Sequence, residues 1–170
     1  MTNGLPFLPS PAEAPYRLAV ATPAGTLTLH AGDDALTELT WRKRRADRPS
    51  RLLEHAAAQL TAYFAGTLRA FDLPLAPRGT AHELAVWVEL CRIPYGETIT
   101  YGELARRTGT VARAVGGTCG ANPIAIVIPC HRVTAAGGQL GGYSGGNGPD
   151  SKRRLLAHEA KHAGIFSLAP

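Results

Sequence analysis

The sequence predicts a mixed α/β (α+β) protein in two parts, a small αβ unit followed by a mainly helical unit that carries a helix-turn-helix and a reactive cysteine. Three observations lead there. Short alternating and β-branched stretches cluster before Arg42, helical periodicity dominates after Thr80, and a proline-containing stretch separates the two. A chain of 170 residues can bury a good core as one domain or as two small ones.

Met1 to Pro15 hold several prolines and little apolar pattern, and read as a loose N-terminal tail. Tyr16 to Ala21, Thr26 to Ala31 and Ala35 to Trp41 read as short strands, turned by Pro23-Ala24-Gly25 and Gly32-Asp33-Asp34. Leu52 to Ala65 places Leu53, Ala56, Leu60 and Phe64 on one stripe with Gly66 beyond it, the pattern of a helix. Phe71 to Gly79, with Pro74 and Pro77, reads as a linker. The N-terminal αβ domain and linker therefore span 16–78, and the C-terminal domain 79–170.

In the second part Leu84, Trp87, Val88 and Cys91 recur at helical spacing, and that helix should end before Pro94. Trp87, Cys91 and Cys119 are expected in the core, as is Trp41. Thr100-Tyr101-Gly102-Glu103 is a capping box that opens a helix ending at Gly109. After a very short turn a second helix runs from Val111 to about Cys119. With Arg106, Arg107 and Arg113 nearby, the pair reads as helix-turn-helix. Ile124 to Ile128 is too short for a helix and rich in β-branched residues, so it reads as a buried extended segment. Pro129 then fixes the backbone before Cys130. Paired glycines at 137–138, 141–142 and 145–146 either leave a loop floppy or let backbone approach a ligand. Ser151 opens a last helix through Ala160.

Composition narrows the function classes. No apolar stretch approaches the ~20 residues of a membrane helix, and no secretory signal is visible. Three separated cysteines argue for a reduced, cytoplasmic protein rather than a disulfide framework. No Cys-x-x-Cys or paired-His spacing suggests a metal site, and no cofactor is implied. A net charge of +5 permits a polyanionic partner without demanding one. The run Trp41-Arg42-Lys43-Arg44-Arg45, with Arg48 and Arg51, is either a solvated loop or a contact to phosphate or to a neighbouring copy of the protein. The sharpest local feature is Ile128-Pro129-Cys130-His131-Arg132-Val133. It presents a thiol beside a base, and such a neighbour can lower a thiol pKa from ~8.5 towards ~7.

Eight blocks stand in a recognisable order: Val86-Trp87, Ile93 to Thr98, Tyr101-Gly102, Ala112 to Gly116, Asn122-Pro123, Ile128 to Val133, Gly141 to Gly146, and Lys152…Glu159. In this the chain resembles the O6-alkylguanine-DNA alkyltransferases (methylated-DNA–protein-cysteine methyltransferases), strongly from Gly79 to Glu159 and weakly before. The resemblance implies a ribonuclease-H-like core in the N-terminal domain. It implies a protein that moves an alkyl group from guanine O6 in double-stranded DNA to its own cysteine, once and without a cofactor. Cys130 would be the nucleophile, His131 its base through a bound water, and Glu159 the group that orients His131. Asn122 would tie the turn before the cysteine segment. Tyr101 would donate a hydrogen bond to the departing base, with Lys152 beside it. Val133, Tyr143, Ser144 and Gly145 would contact the base, the carbonyls of Cys130 and Val133 reading its amine and the Ser144 N–H lying near O6.

The target base must rotate out of the duplex. The resemblance gives Arg113 the vacated place in the stack, while Ala112, Ala114 and Gly116 let the second helix lie close in the minor groove. Thr100 and Tyr101 join them as DNA contacts. Relative to the family pattern, the turn between Gly109 and Ala112 is shorter, and the loop through Asn147-Gly148-Pro149-Asp150 is longer. A monomer is expected, with self-association on DNA and action on O4-alkylthymine left open. The rival readings are a lesion-binding relative with weak or no transfer, a helix-turn-helix transcription regulator, and a cysteine hydrolase that turns over repeatedly.

Overall fold

The computed structural model describes residues 7–42 and 47–164. The chain forms two compact units, one from the residues up to Thr80 with Pro123–Ala125, the other from Ala81–Asn122 and the residues from Ile126 on. In the first unit, β1 (Tyr16–Thr22), β2 (Gly25–Ala31) and β3 (Leu36–Thr40) form an antiparallel sheet in that order. Leu29 lies opposite Leu18 on one side and Leu39 on the other. Leu27, Leu29 and Ala31 are fully buried, and so nearly are Thr28 and His30 between them. The middle strand is thus covered on both faces, and its polar residues are enclosed along with its leucines.

The helix α1 (Arg51–Phe64) packs on β1 and β2. Ser50 caps it by accepting a hydrogen bond from the Leu53 N–H at 3.4 Å. Its buried stripe is Leu53, Ala56, Leu60 and Tyr63, so Tyr63 takes the place the spacing gave to Phe64.

Two segments expected to be loose are paired. Phe7 is buried and bridges to Leu75, which in turn bridges to Leu36 of β3. Leu36 N–H donates to the Pro74 carbonyl at 2.9 Å, and Ala76 N–H to the Leu36 carbonyl at 2.8 Å. A proline-bearing segment can pair this way at a sheet edge, because it offers carbonyls where no proline N–H is needed. Pro123–Ala125 covers the rest of that edge: Leu39 N–H donates to the Pro123 carbonyl at 2.9 Å and Ala125 N–H to the Leu39 carbonyl at 3.3 Å. Trp41 is half-buried rather than core, its indole N–H donating to the Ala24 carbonyl at 2.9 Å. Of the basic run, Lys43, Arg44 and Arg45 lie outside the described residues. Arg48 exchanges backbone hydrogen bonds with Arg17 of β1 and sets its guanidinium 5.4 Å from the centre of the Tyr16 ring.

The second unit contains α2 (Ala81–Cys91), β4 (Ile99–Thr100), α3 (Tyr101–Thr108), α4 (Ala112–Gly120), a 3-10 turn at Cys130–Arg132, β5 (Val133–Thr134) and α5 (Pro149–Gly164). β4 and β5 pair in parallel, a contact the sequence pattern did not announce. α2 buries Val86, Trp87, Val88 and Leu90, and Trp87 Nε1–H donates to the Thr118 carbonyl of α4 at 3.0 Å. Cys91 is exposed, not core. Thr100 caps α3 by accepting the Glu103 N–H at 3.1 Å, and Gly109 closes it in the left-handed conformation. Glu103 does not complete the capping box: its carboxylate is drawn to Arg106 and Arg107 instead. α5 begins at Pro149, a residue suited to a first helical position, rather than at Ser151, and it continues past Ala160 to Gly164. Ser151 is turned inward, its hydroxyl accepting the Asn147 N–H at 2.9 Å. Among the described residues no helix is long and apolar enough to cross a membrane.

Candidate active site

The segment before Cys130 is not one extended strand. Ile126, fully buried, has φ of 72°, a region a β-branched residue rarely enters. The bend there sends Val127-Ile128-Pro129 back toward the helices, and Pro129 starts the 3-10 turn in which Arg132 N–H donates to its carbonyl at 3.0 Å. Asn122, just past α4, clamps this bend. Its Nδ2 donates to the Ile128 carbonyl at 2.7 Å and to Cys130 Sγ at 3.2 Å.

Behind the thiol lies a buried charge cluster. His131 is fully buried, and its Nε2 stands 2.7 Å from Glu159 Oε1. Glu159 also accepts from Arg132 Nε at 2.9 Å, Arg132 Nη2 at 3.0 Å and the Gly96 N–H at 3.1 Å. Arg132 Nη1 donates to the Ile93 carbonyl at 2.6 Å. Gly96 has φ of 80°, and a Cβ there would come within 2.5 Å of the Ala163 Cβ, so only glycine brings this N–H to Glu159. Burial alone would push Glu159 up, yet His131 and Arg132 hold its carboxyl far below the ordinary range. Burial pushes His131 down, leaving it a neutral imidazole. Since a carboxylate can only accept, Nε2 carries the proton and Nδ1 the lone pair. Nδ1 is buried with no hydrogen-bond partner among the described residues.

Burial also pushes the Cys130 thiol up, with Asn122, Lys152 and Tyr143 acting against it. The thiol is therefore neutral at rest, contrary to the lowered pKa its histidine neighbour suggested. The neighbour is itself uncharged, and desolvation outweighs the opposing hydrogen bonds. On the other side, Tyr101 donates to the Gly142 carbonyl at 3.3 Å, and fully buried Lys152 donates to Tyr101 Oη at 3.3 Å and to the same carbonyl at 3.2 Å. Burial and the two nearby thiols push the Tyr101 phenol up to about 12. A Cβ on Gly141 would lie 2.8 Å from the Tyr101 ring, so at this one glycine the backbone makes a close approach to an aromatic side chain, while Gly137, Gly138 and Gly142 have open space around them.

Cys130, Tyr101, Tyr143, Ser144, Ala112, Arg113 and Gly116 line one open cavity of about 630 Å³, together with Cys119, Gly120 and Gly142. Val133, Gly145, Thr100 and Ala114 are not on its wall; Val133 sits in β5, and Thr100 caps α3. The Cys130 carbonyl already accepts the Val133 N–H. Ser144 Oγ donates to the Gly120 carbonyl at 3.4 Å. Cys119, expected in the core, is instead half-buried on the cavity wall. Its position seven residues after Ala112 on one helix could have signalled that. Arg132 was also missed as a site residue, although a cation between Ile128 and Val133 must find a buried partner. The outward face of α4 carries Gly116, Gly117 and Gly120, where a Cβ would meet nothing within 4 Å.

A helix-turn-helix whose cavity holds a thiol, backed by a histidine–carboxylate pair, defines a protein that does cysteine chemistry within a nucleic-acid-binding type of fold. Comparison with known proteins agrees. Residues 81–161 match the family model "6-O-methylguanine DNA methyltransferase, DNA binding domain", and residues 16–77 match "6-O-methylguanine DNA methyltransferase, ribonuclease-like domain". The methylated-DNA–protein-cysteine methyltransferase of Mycolicibacterium paratuberculosis is 48% identical over 158 residues, covering 87% of this chain and 93% of that one. The protein of that name from Methanosarcina acetivorans is 42% identical over 154 residues, covering 85% and 97%. Among solved structures, Mycobacterium tuberculosis OGT in complex with DNA superposes with a TM-score of 0.76 at 46% identity, covering 85% of this chain and 92% of that chain. The chain belongs to the O6-methylguanine-DNA methyltransferase family.

Proposed function

We propose that this protein repairs O6-alkylguanine in double-stranded DNA by taking the alkyl group onto Cys130, in the cytoplasm and without a cofactor. The observation that carries this is a single thiol–relay arrangement. Cys130 faces an open cavity, Asn122 donates to its sulfur at 3.2 Å, and the next residue is a buried neutral imidazole fixed by Glu159 at 2.7 Å. The lesion rotates out of the duplex into the cavity, at a cost of about a few kcal/mol, and Arg113 fills its place. Ala112, Ala114 and Gly116 keep α4 slim enough to lie in the minor groove, with Thr100 and Tyr101 at its margin.

His131 Nδ1 takes the thiol proton through a water molecule, and Glu159, itself held in place by Arg132, keeps the resulting imidazolium paired. The sulfur–carbon bond forms as the carbon–O6 bond breaks. A hydrogen bond from Tyr101, itself held by Lys152, offsets charge on the departing base. The proton lost by the thiol is balanced by the one guanine takes up as it leaves. Tyr143 and Ser144, on the cavity wall, orient the base. The thioether product has no leaving route, so each molecule acts once. Three free cysteines suit a reducing compartment.

A lesion-binding relative without transfer would need no thiol on the cavity wall, so that reading is not favoured. The test is repair of a duplex carrying O6-methylguanine. The wild type should remove one equivalent of lesion, and Cys130→Ser should remove none while still binding. Repair by Cys130→Ser would end the proposal.

A further inference from the structure

We infer that Arg132 is a positioning residue that restrains Cys130: by taking both oxygens of Glu159 it withholds part of that carboxylate's charge from His131, so the thiol keeps its proton at rest. This rests on the proton relay proposed above and gives Arg132 a part in it. The guanidinium meets Glu159 as a fork, Nε donating to Oε2 at 2.9 Å and Nη2 to Oε1 at 3.0 Å. His131 Nε2 reaches the same Oε1, at 2.7 Å. Imidazole and guanidinium therefore share one oxygen, while the other is held by Arg132 and the Gly96 N–H. Arg132 is itself fixed from the turn after α2. Its Nη1 donates to the Ile93 carbonyl at 2.6 Å, and its guanidinium carbon lies 5.7 Å from the centre of the Tyr95 ring. Arg132, Glu159 and His131 are all buried, so solvent screens their charges little.

A carboxylate beside a histidine ordinarily favours the imidazolium with its whole charge. Here three charges bear on His131. Glu159 favours the imidazolium, and Arg132 and Lys152 oppose it. Lys152 also faces the thiol and favours the thiolate, so its effects on the two ends of the relay oppose each other. Arg132 bears on the imidazole end. From α2 the titratable group facing Arg132 is Cys91, whose thiol is pushed up to about 11 and stays neutral. Arg132 thus cancels much of what Glu159 would give the imidazolium, and transfer of the thiol proton is held back. A protein that reacts once gains by this, because a standing thiolate would be consumed by any soft electrophile entering the open cavity.

The test follows the rate at which iodoacetamide labels Cys130, read on its own peptide by mass spectrometry, as pH is raised to the alkaline plateau. The full chain is compared with Arg132→Gln, Arg132→Met and Arg132→Lys. Removing a buried charge that shares an oxygen with the imidazole should lower the midpoint of the Gln and Met profiles by ~1 pH unit, read as labelling ~10-fold faster near neutral pH. Arg132→Lys keeps the charge but loses the fork, so its midpoint should fall between the two, and it tests the inference even where the neutral variants do not fold. In a His131→Asn background Arg132→Gln should leave the midpoint unmoved, since the effect runs through the imidazole. A loosened core would raise the plateau rate and leave the midpoint alone. A midpoint at or above that of the wild type in the variants, or a change confined to the plateau, overturns the inference. No DNA is present, so failure of the wild type to repair a methylated duplex would count against the repair reading and leave this result standing.

Discussion

Replacing Glu159 with glutamine keeps the side chain's shape and removes only its charge, yet the structure requires a large effect. Four donors meet this carboxylate: His131 Nε2 and Arg132 Nη2 at Oε1, Arg132 Nε and the Gly96 N–H at Oε2. Whichever way the amide of Glu159→Gln is turned, its NH2 meets two donors. The Arg132 guanidinium is left buried without a counter-charge, and breaking such a pair from one side costs about 3–5 kcal/mol. For a chain of this length that lowers the thermal midpoint by roughly 6–20 °C. Urea unfolding at fixed pH measures it. Alkyl transfer, assayed well below the midpoint, should slow by ~100-fold or more because the imidazole loses its fixed tautomer. Glu159 sits below its ordinary pKa when folded, so its stability contribution is full above about pH 4.3 and drains away as pH falls below that. The glutamine variant should lose this acid limb. A change under about 1 kcal/mol would refute the argument that this carboxylate carries the cluster.

Arg113→Ala should keep the reaction with free O6-benzylguanine and slow repair of duplex, and equal loss on both would contradict the intercalation role. Gly117→Ala places a methyl in open space on a regular helix, so it should stabilise the protein by about 1 kcal/mol in denaturant while weakening duplex binding. His131 is held below its ordinary pKa, so between that value and about 6.5 the unfolded chain binds the extra proton. Stability should therefore fall as pH drops below about 6.5, by at most ~1.4 kcal/mol per unit, and His131→Asn should flatten that limb.

What the sequence made legible follows from what each signal depends on. Strands, α1, the Thr100 cap and the Gly109 stop were readable because they rest on local chemistry: alternation, a side-chain acceptor, a left-handed glycine. The pairing of Leu75 with Leu36 was not, because a proline-rich stretch looks the same whether it is free or lies on a sheet edge. The bend at Ile126 was hidden for a stronger reason, since its residue type opposes its conformation. Cys130, His131 and Glu159 were named from motif order, and the structure brings all three together. The direction of the thiol pKa was misjudged, because desolvation depends on burial that adjacency cannot reveal. Arg132 stood in plain sight but was read as part of a motif instead of as a charge in need of a partner.

The most direct measurement is peptide mass spectrometry of the protein after incubation with excess duplex carrying O6-methylguanine. One methyl increment per molecule is expected, on the peptide containing Cys130, and none on those containing Cys91 or Cys119. Removal of many lesions per molecule, or a stable methyl on another side chain, would contradict it.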